Sequence, residues 1–491
     1  MHFVAALDDV PEMRGILGLF EGVVTGAADG YARMAGKPAA TLLHLGPGLG
    51  NGVANLHNAR RAHSPVVNIV GDHATYHKQY DAPLESDIDA IASAVSGWVH
   101  RSMTPDRVAT DAARCVVEAT RPPGQVATLI LPADVCWLEA PGPVDPLPTE
   151  QARPAPEDRI AEVAKVLGSG EPCALFVGGR VLTATGQRVV SRLAAATGAK
   201  LFCETFPARQ ERGEGIPVVE RLAYLAEFAQ MQLEGIAHLV IVDTAAPVSF
   251  FAYPGKASVL QPEGCQLHVL ASGPDDPVAT LESLADLMGA TEDVLAPTAA
   301  RPDRPSGDLT AETLAAAVGA LLPEGAIVCD EANTSGLFVP AATSGGPRHD
   351  WLTLTGGSIG IGLPLAVGAA VACPDRKVLA LQADGSAMYT LQALWTMARE
   401  ALDVTTVIAN NGSYAVLNME LNRVGATSVG SKARQMLDLH RPDLDFAAMA
   451  QGMGVDAVRV QTADDLVVAL ERCLAEPGPH LIDAVVPPLG L

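Results

Sequence analysis

The sequence predicts an α/β protein made of three parallel-sheet α/β layer domains. Two observations carry that expectation. Short apolar runs alternate with helical patterns along the whole chain, the pattern of parallel sheet covered by helices. Two proline-rich polar stretches, Pro141–Arg159 and Pro297–Thr310, divide the 491 residues into three blocks of similar kind. The blocks are expected at 1–148, 158–295 and 308–491.

The first block has strand-like runs at Ala39–His44, Val66–Val70 and Val126–Leu131, with helical patterns at Glu21–Met34 and Gly52–Ala62. The second has runs at Cys173–Val177, Lys200–Phe202, His238–Val242 and Gln266–Leu270. The third has runs at Ala326–Cys329, Lys377–Gln382, Thr405–Ala409 and Leu481–Val485. A hydrophobic share of 48% allows large cores, and 46 Gly with 36 Pro suit many tight turns.

A formal net charge of −23 repels phosphate backbones and anionic lipid, so neither nucleic acid nor a membrane surface is an expected partner. The eight cysteines are scattered without a CxxC pair and read as free thiols of a reducing compartment. No apolar run reaches the roughly 18 residues of a membrane span. Met1–Gly15 lacks the basic flank and apolar core of a signal peptide, so a cytoplasmic location is expected.

The strongest chemical signal lies in Lys377–Tyr414. An apolar strand ends at Asp384-Gly385-Ser386, a helix follows, and a second apolar strand ends at Asn410-Asn411-Gly412. Parallel strands project their ends from one sheet edge, so Asp384 and Asn411 converge. A carboxylate, an amide oxygen and a backbone carbonyl are hard donors that suit Mg²⁺. A helix start beyond Gly385 favours a diphosphate. Asp-Gly and Asn-Gly are also ordinary turns when met singly. Their pairing on two strand ends is what carries information.

This stretch resembles the GDG…NN motif of thiamine-diphosphate-dependent enzymes in the acetolactate synthase and benzoylformate decarboxylase superfamily, with Ala383 in place of the first glycine. The resemblance implies thiamine diphosphate and Mg²⁺ as cofactors. It makes Asp384, Asn411 and Ser413 the metal ligands, with Gly385 and Ser386 on the diphosphate. Leu354–Ala370 (LTGGSIGIGLPLAVGAA) is similar to the family's glycine-rich segment. By that match Gly357 faces the aminopyrimidine and Ile359 props the cofactor in its bent form. DEANTSG resembles the loop completing the diphosphate site, with Asn333 and Thr334 as contacts. Tyr414 begins a helix beside the cofactor.

Leu19–Ala39 resembles the pyrimidine-binding module, and Glu21 matches the glutamate that bonds the aminopyrimidine and promotes loss of the thiazolium proton. A carboxylate at a helix start is also simply favourable to the helix. GPGLGNGVANLHNA resembles the superfamily's GPG-N loop. His44, just before it, stands where the benzoylformate decarboxylase branch has an acid/base histidine; a lone strand-end histidine is otherwise structural. His73 and His77 are weaker candidates.

By this resemblance the three blocks are the pyrimidine-binding, middle and diphosphate-binding domains. The substrate is a 2-oxo acid, and the site forms between Glu21 of one protomer and Asp384 of its partner in a homodimer or homotetramer. The outcome is decarboxylation or carboligation. The middle block's Gly178-Gly179 turn lacks a full GxGxxG, so FAD is not favoured. Rival readings are a nicotinamide or flavin oxidoreductase, which would need that full fingerprint, and a silent homologue, which would lack Glu21 or the metal pair. Family members carry a helix, a strand and a Pro-Gly loop before the segment matching Met1–Gly15. The first domain is therefore expected to lack its first strand and to show a gap or an exposed edge.

Overall fold

The computed structural model describes residues 1–294, 300–425 and 430–489. The expected boundary at 295, the start of the second joint and the end at 491 lie outside the described residues.

Among the described residues three sheets are present, and parallel pairing dominates them. The first contains β1 (Ala39–Leu43), β2 (Val66–Asp72), β3 (Trp98–Arg101) and β4 (Val126–Pro132) in the order β1-β2-β4-β3. Every residue of β4 is buried, as expected of a strand covered on both faces. β1 forms an edge of this sheet, and Leu42 on it is exposed. The second sheet draws on β5 (Cys173–Val177) and β6 (Lys200–Cys203). Next in the chain, β7 (Arg209–Arg212) leaves this sheet, while β8 (Glu220–Arg221), β9 (His238–Val242) and β10 (Gln266–Ala271) complete it in the order β10-β9-β5-β6-β8.

The third sheet contains β11 (Ile327–Glu331), β12 (His349–Thr353), β13 (Val378–Ala383), β14 (Val404–Asn410), β15 (Asp456–Val460) and β16 (His480–Val485). Its order is β15-β16-β14-β13-β11-β12-β7, with β7 antiparallel to β12. Alternate residues feed two cores: Val378 and Ala380 enter one, Leu379 and Leu381 the other. Ala383 pairs with Ala409, so β13 and β14 end level with each other. That alignment brings the residues after both strands to one place.

The first block packs directly onto the third. Val23 and Met34 of the helix Glu21–Ala35 belong to the same core as Leu363 and Leu365 of the helix Gly362–Ala372. The approach is so close that a Cβ on Gly368 would stand 1.9 Å from the Ala27 carbonyl oxygen. The glycines of TGAADG and LAVGAA are thus contact points between helices.

A buried ion pair joins all three blocks. Arg33 Nη2 lies 2.5 Å from Asp29 Oδ2, with both side chains nearly fully buried. Arg33 also donates to the carbonyls of Ala208 and Thr353 and to Thr355 Oγ1. Removing the cation strands a buried carboxylate. Arg33→Met should therefore lower stability by roughly 3–5 kcal/mol, read as a fall in the urea midpoint of the cofactor-free chain.

Candidate active site

Asp384 is 1% exposed and begins a short helix directly after β13. Its Oδ1 accepts from the Gly385 N–H at 2.7 Å. Its Oδ2 accepts from the N–H groups of Asn411 at 3.0 Å and Gly412 at 2.7 Å. One carboxylate thus joins the ends of both strands, the convergence expected from the parallel arrangement. Burial pushes the Asp384 carboxyl above its ordinary range, and the backbone N–H groups oppose that shift.

The neighbours form a connected network. Asn411 Oδ1 accepts from the Ser413 N–H at 2.9 Å, and Asn411 Nδ2 donates to Ser335 Oγ at 3.1 Å. Asn333, in a left-handed conformation at φ +49°, donates to Ser386 Oγ at 3.1 Å. Thr334 follows it in the same 3₁₀ turn. The Tyr414 ring covers Gly385, where a Cβ would meet it at 2.4 Å. Asp384, Gly385, Ser386, Asn333, Asn411, Ser413 and Tyr414 are therefore brought together. The oxygen-rich donor set with a buried carboxylate at its centre fits a small hard cation.

Glu21 and His44 form a second group around Gly48. A Cβ at Gly48 would stand 3.1 Å from Glu21 Oε1 and 3.4 Å from the His44 Cβ. Asn51 Nδ2 donates to Glu21 Oε2 at 3.0 Å. His44 is exposed and precedes the helix Leu45–Arg61. GPG, expected to be a loop, is the first turn of that helix. Among the described residues no hydrogen bond joins Glu21 or His44 to the Asp384 group.

The glycine-rich loop is held by the helix Leu45–Arg61. Asn58 Oδ1 accepts from the N–H groups of Gly356 and Ser358, and Asn58 Nδ2 donates to the Ser358 carbonyl at 2.8 Å. Gly357 has φ +74°, and a Cβ there would meet the Phe250 ring at 2.6 Å. Ile359 packs against the core shared by the first and third blocks.

Two family models match parts of the chain. Residues 1–93 match the model of the thiamine pyrophosphate enzyme, N-terminal TPP binding domain, and residues 339–484 match that of the C-terminal TPP binding domain. A Mycobacterium tuberculosis (strain H37Rv) protein named "Putative acetolactate synthase large subunit IlvX" is 59% identical over 490 residues, covering 100% of this chain and 94% of the relative. The chain belongs to the thiamine pyrophosphate enzyme family. A benzoylformate decarboxylase of Pseudomonas aeruginosa is 30% identical over 97% of this chain and 93% of its own. The solved structure of a Rhodococcus jostii thiamine diphosphate-dependent 4-hydroxybenzoylformate decarboxylase superposes with TM-score 0.86 at 26% identity, covering 99% of this chain and 94% of that one.

Within this thiamine pyrophosphate enzyme, Glu21 and His44 fall in the N-terminal match, and Gly357, Ile359, Asp384–Ser386 and Asn411–Tyr414 in the C-terminal one. Asn333 and Thr334 lie outside both. Sequence reading missed Asn51, Asn58, Glu331 and Phe250. The asparagines had a signal, since Asn51, Asn55 and Asn58 recur at one helix face. Phe250 had none.

The middle sheet's carboxyl edge is occupied by the chain's own acids. Gly179 N–H donates to Glu204 Oε1 at 3.2 Å, and Arg180 N–H donates to Asp243 Oδ2 at 2.8 Å. These carboxylates stand where an open α/β sheet receives a dinucleotide's phosphates, so the residues present do not fit a flavin dinucleotide there. Burial pushes Glu204 up to about 7. The folded chain then holds this proton more tightly than the unfolded chain. The stability it contributes is full below the ordinary carboxylate range and falls as pH rises toward about 7. Denaturant unfolding of the cofactor-free protein at pH 5 and about pH 8 checks this. Glu204→Gln should gain stability relative to the parent as pH rises.

Proposed function

We propose that this chain is a thiamine-diphosphate- and Mg²⁺-dependent 2-oxo acid decarboxylase and carboligase of the acetolactate synthase type. The single observation that carries the reading is the Asp384 carboxylate joining the level ends of β13 and β14 beside Asn411 and Ser413. Asp384, the Asn411 side-chain oxygen and the Ser413 carbonyl would hold Mg²⁺. Gly385, Ser386, Asn333 and Thr334 would face the diphosphate, and Gly357, Ile359 and Tyr414 the rings. The bound cofactor supplies a carbon nucleophile that adds to the substrate carbonyl and accepts the electron pair left as CO₂ departs.

The chain's own residues handle the protons. Asn51 holds Glu21 Oε2, which leaves Oε1 to exchange a proton with the aminopyrimidine ring nitrogen. His44, exposed beside Gly48, would deliver a proton to the carbon that loses CO₂. Because Glu21 and Asp384 form separate groups in one chain, the complete site is assigned to a cytoplasmic homodimer or a pair of such dimers. Exposed apolar side chains near both groups, Leu19 and Leu42 on one side and Met388 and Tyr389 on the other, support a covered surface.

A second reading is decarboxylation of an aromatic 2-oxo acid, as the names of two relatives describe. Phe206, Tyr224, Phe250 and Phe251 form a contiguous ring cluster, with Phe250 against Gly357 and 44% exposed. Turnover of pyruvate and benzoylformate with product analysis separates the readings. The first predicts a carboligation product from pyruvate, and the second predicts an aldehyde from benzoylformate. No turnover of either would contradict both.

Glu21→Gln keeps the shape of the side chain and removes its carboxylate. Exchange of the cofactor's thiazolium C2 proton should slow by about 100-fold or more, while cofactor affinity changes far less. Exchange at the parent rate would remove Glu21 from the mechanism.

A further inference from the structure

Glu331 ends β11 in a strand that is otherwise mostly apolar, and it is 2% exposed. No lysine or arginine pairs with it among the described residues. Its partners are three consecutive backbone N–H groups. Oε1 accepts from Gly360 at 2.7 Å and from Ile361 at 3.4 Å, and Oε2 accepts from Gly362 at 2.7 Å. These residues lead out of the loop that carries Gly357 and Ile359 and into the helix Gly362–Ala372.

The same loop is gripped from two other sides. Asn58 holds Gly356 and Ser358, and Thr390 Oγ1 donates to the Gly360 carbonyl at 2.8 Å. Beneath it, Gln382 pairs in register with Glu331 across β11 and β13. A Cβ on Gly362 would stand 1.8 Å from Gln382 Nε2 and 2.9 Å from the Glu331 Cβ. The loop therefore sits directly on this pair of side chains, with no slack between them.

We infer that Glu331 is a positioning residue of the cofactor site, acting through the backbone of Gly360–Gly362 to fix where Gly357 and Ile359 stand. The inference rests on the reading that this site takes thiamine diphosphate. A carboxylate kept from water needs strong compensation, and ionised acceptors make hydrogen bonds about twice as strong as neutral ones. Burial pushes Glu331 up to about 7, so the three N–H groups and the helix start are what keep its charged form in place. Nothing in the geometry gives Glu331 contact with a substrate or cofactor. Its influence runs through the loop.

The test uses the full chain loaded with thiamine diphosphate and Mg²⁺. Glu331→Gln leaves one acceptor oxygen and points an amide N–H₂ at backbone donors. Exchange of the cofactor's C2 proton at saturating cofactor should slow by about 10-fold or more, the scale typical of losing a partner that orients a site. Glu331→Asp, which keeps the charge, should recover part of that loss. Thr390→Val loosens the same loop without touching a buried charge, and it should also slow exchange if Glu331→Gln fails to fold. Exchange within about twofold of the parent in a folded Glu331→Gln chain, or unchanged exchange in Thr390→Val, would overturn the assignment and leave Glu331 a fold element. A parent chain that binds no thiamine diphosphate would overturn the proposed function and this inference together, a result distinct from either variant outcome.

Discussion

The site depends on one carboxylate withheld from water. Asp384 is almost wholly buried, no basic side chain reaches it among the described residues, and backbone N–H groups are its partners. Such a group is costly in a folded chain unless a positive charge arrives. The surrounding backbone accommodates it. Gly385 lets the Tyr414 ring close over the turn, and Gly412, at φ +65°, turns its N–H onto Oδ2 beside the His440 ring. On the proposed reading Mg²⁺ supplies the missing charge, and the diphosphate follows the metal.

The rest of the architecture positions two further elements, a helix of the first block and the glycine-rich loop. The helix Glu21–Ala35 is seated on the third sheet's core through small residues, and the buried Asp29–Arg33 pair fixes it to the other two blocks. The Leu45–Arg61 helix then carries Asn51 toward Glu21 and Asn58 toward the glycine-rich loop. Glu331 holds that loop from beneath. Asn58 and Glu331 thus bind backbone N–H groups of the glycine-rich loop that apolar packing alone would leave unpaired.

Much of this was legible in the sequence, for identifiable reasons. Strands buried on both faces announce themselves as apolar runs, and Cys173–Val177 and His238–Val242 have the expected bounds. The convergence of Asp384 and Asn411 followed from parallel pairing alone. Strands with mixed composition were missed. Trp98–Arg101, Arg209–Arg212, His349–Thr353 and Asp456–Val460 carry charged or aromatic residues, and tertiary pairing made them strands. Arg209–Arg212 also joins a sheet other than that of its sequence neighbours, which no local pattern encodes. GPG reads as a turn because both residue types favour one, yet helix packing draws it into a first helical turn, where proline is tolerated. Glu331 escaped notice because its three partners lie about thirty residues away along the chain.

On the proposed reading, the buried Asp384 charge creates the cofactor site by holding Mg²⁺. Calorimetric titration of the parent and of Asp384→Ala with thiamine diphosphate, each with and without Mg²⁺, tests it most directly. The parent should show saturable, Mg²⁺-dependent binding, and the variant, which should retain its fold, should lose about 100-fold or more in affinity. Equal affinity in the two proteins, or binding to the parent that ignores Mg²⁺, would contradict that reading.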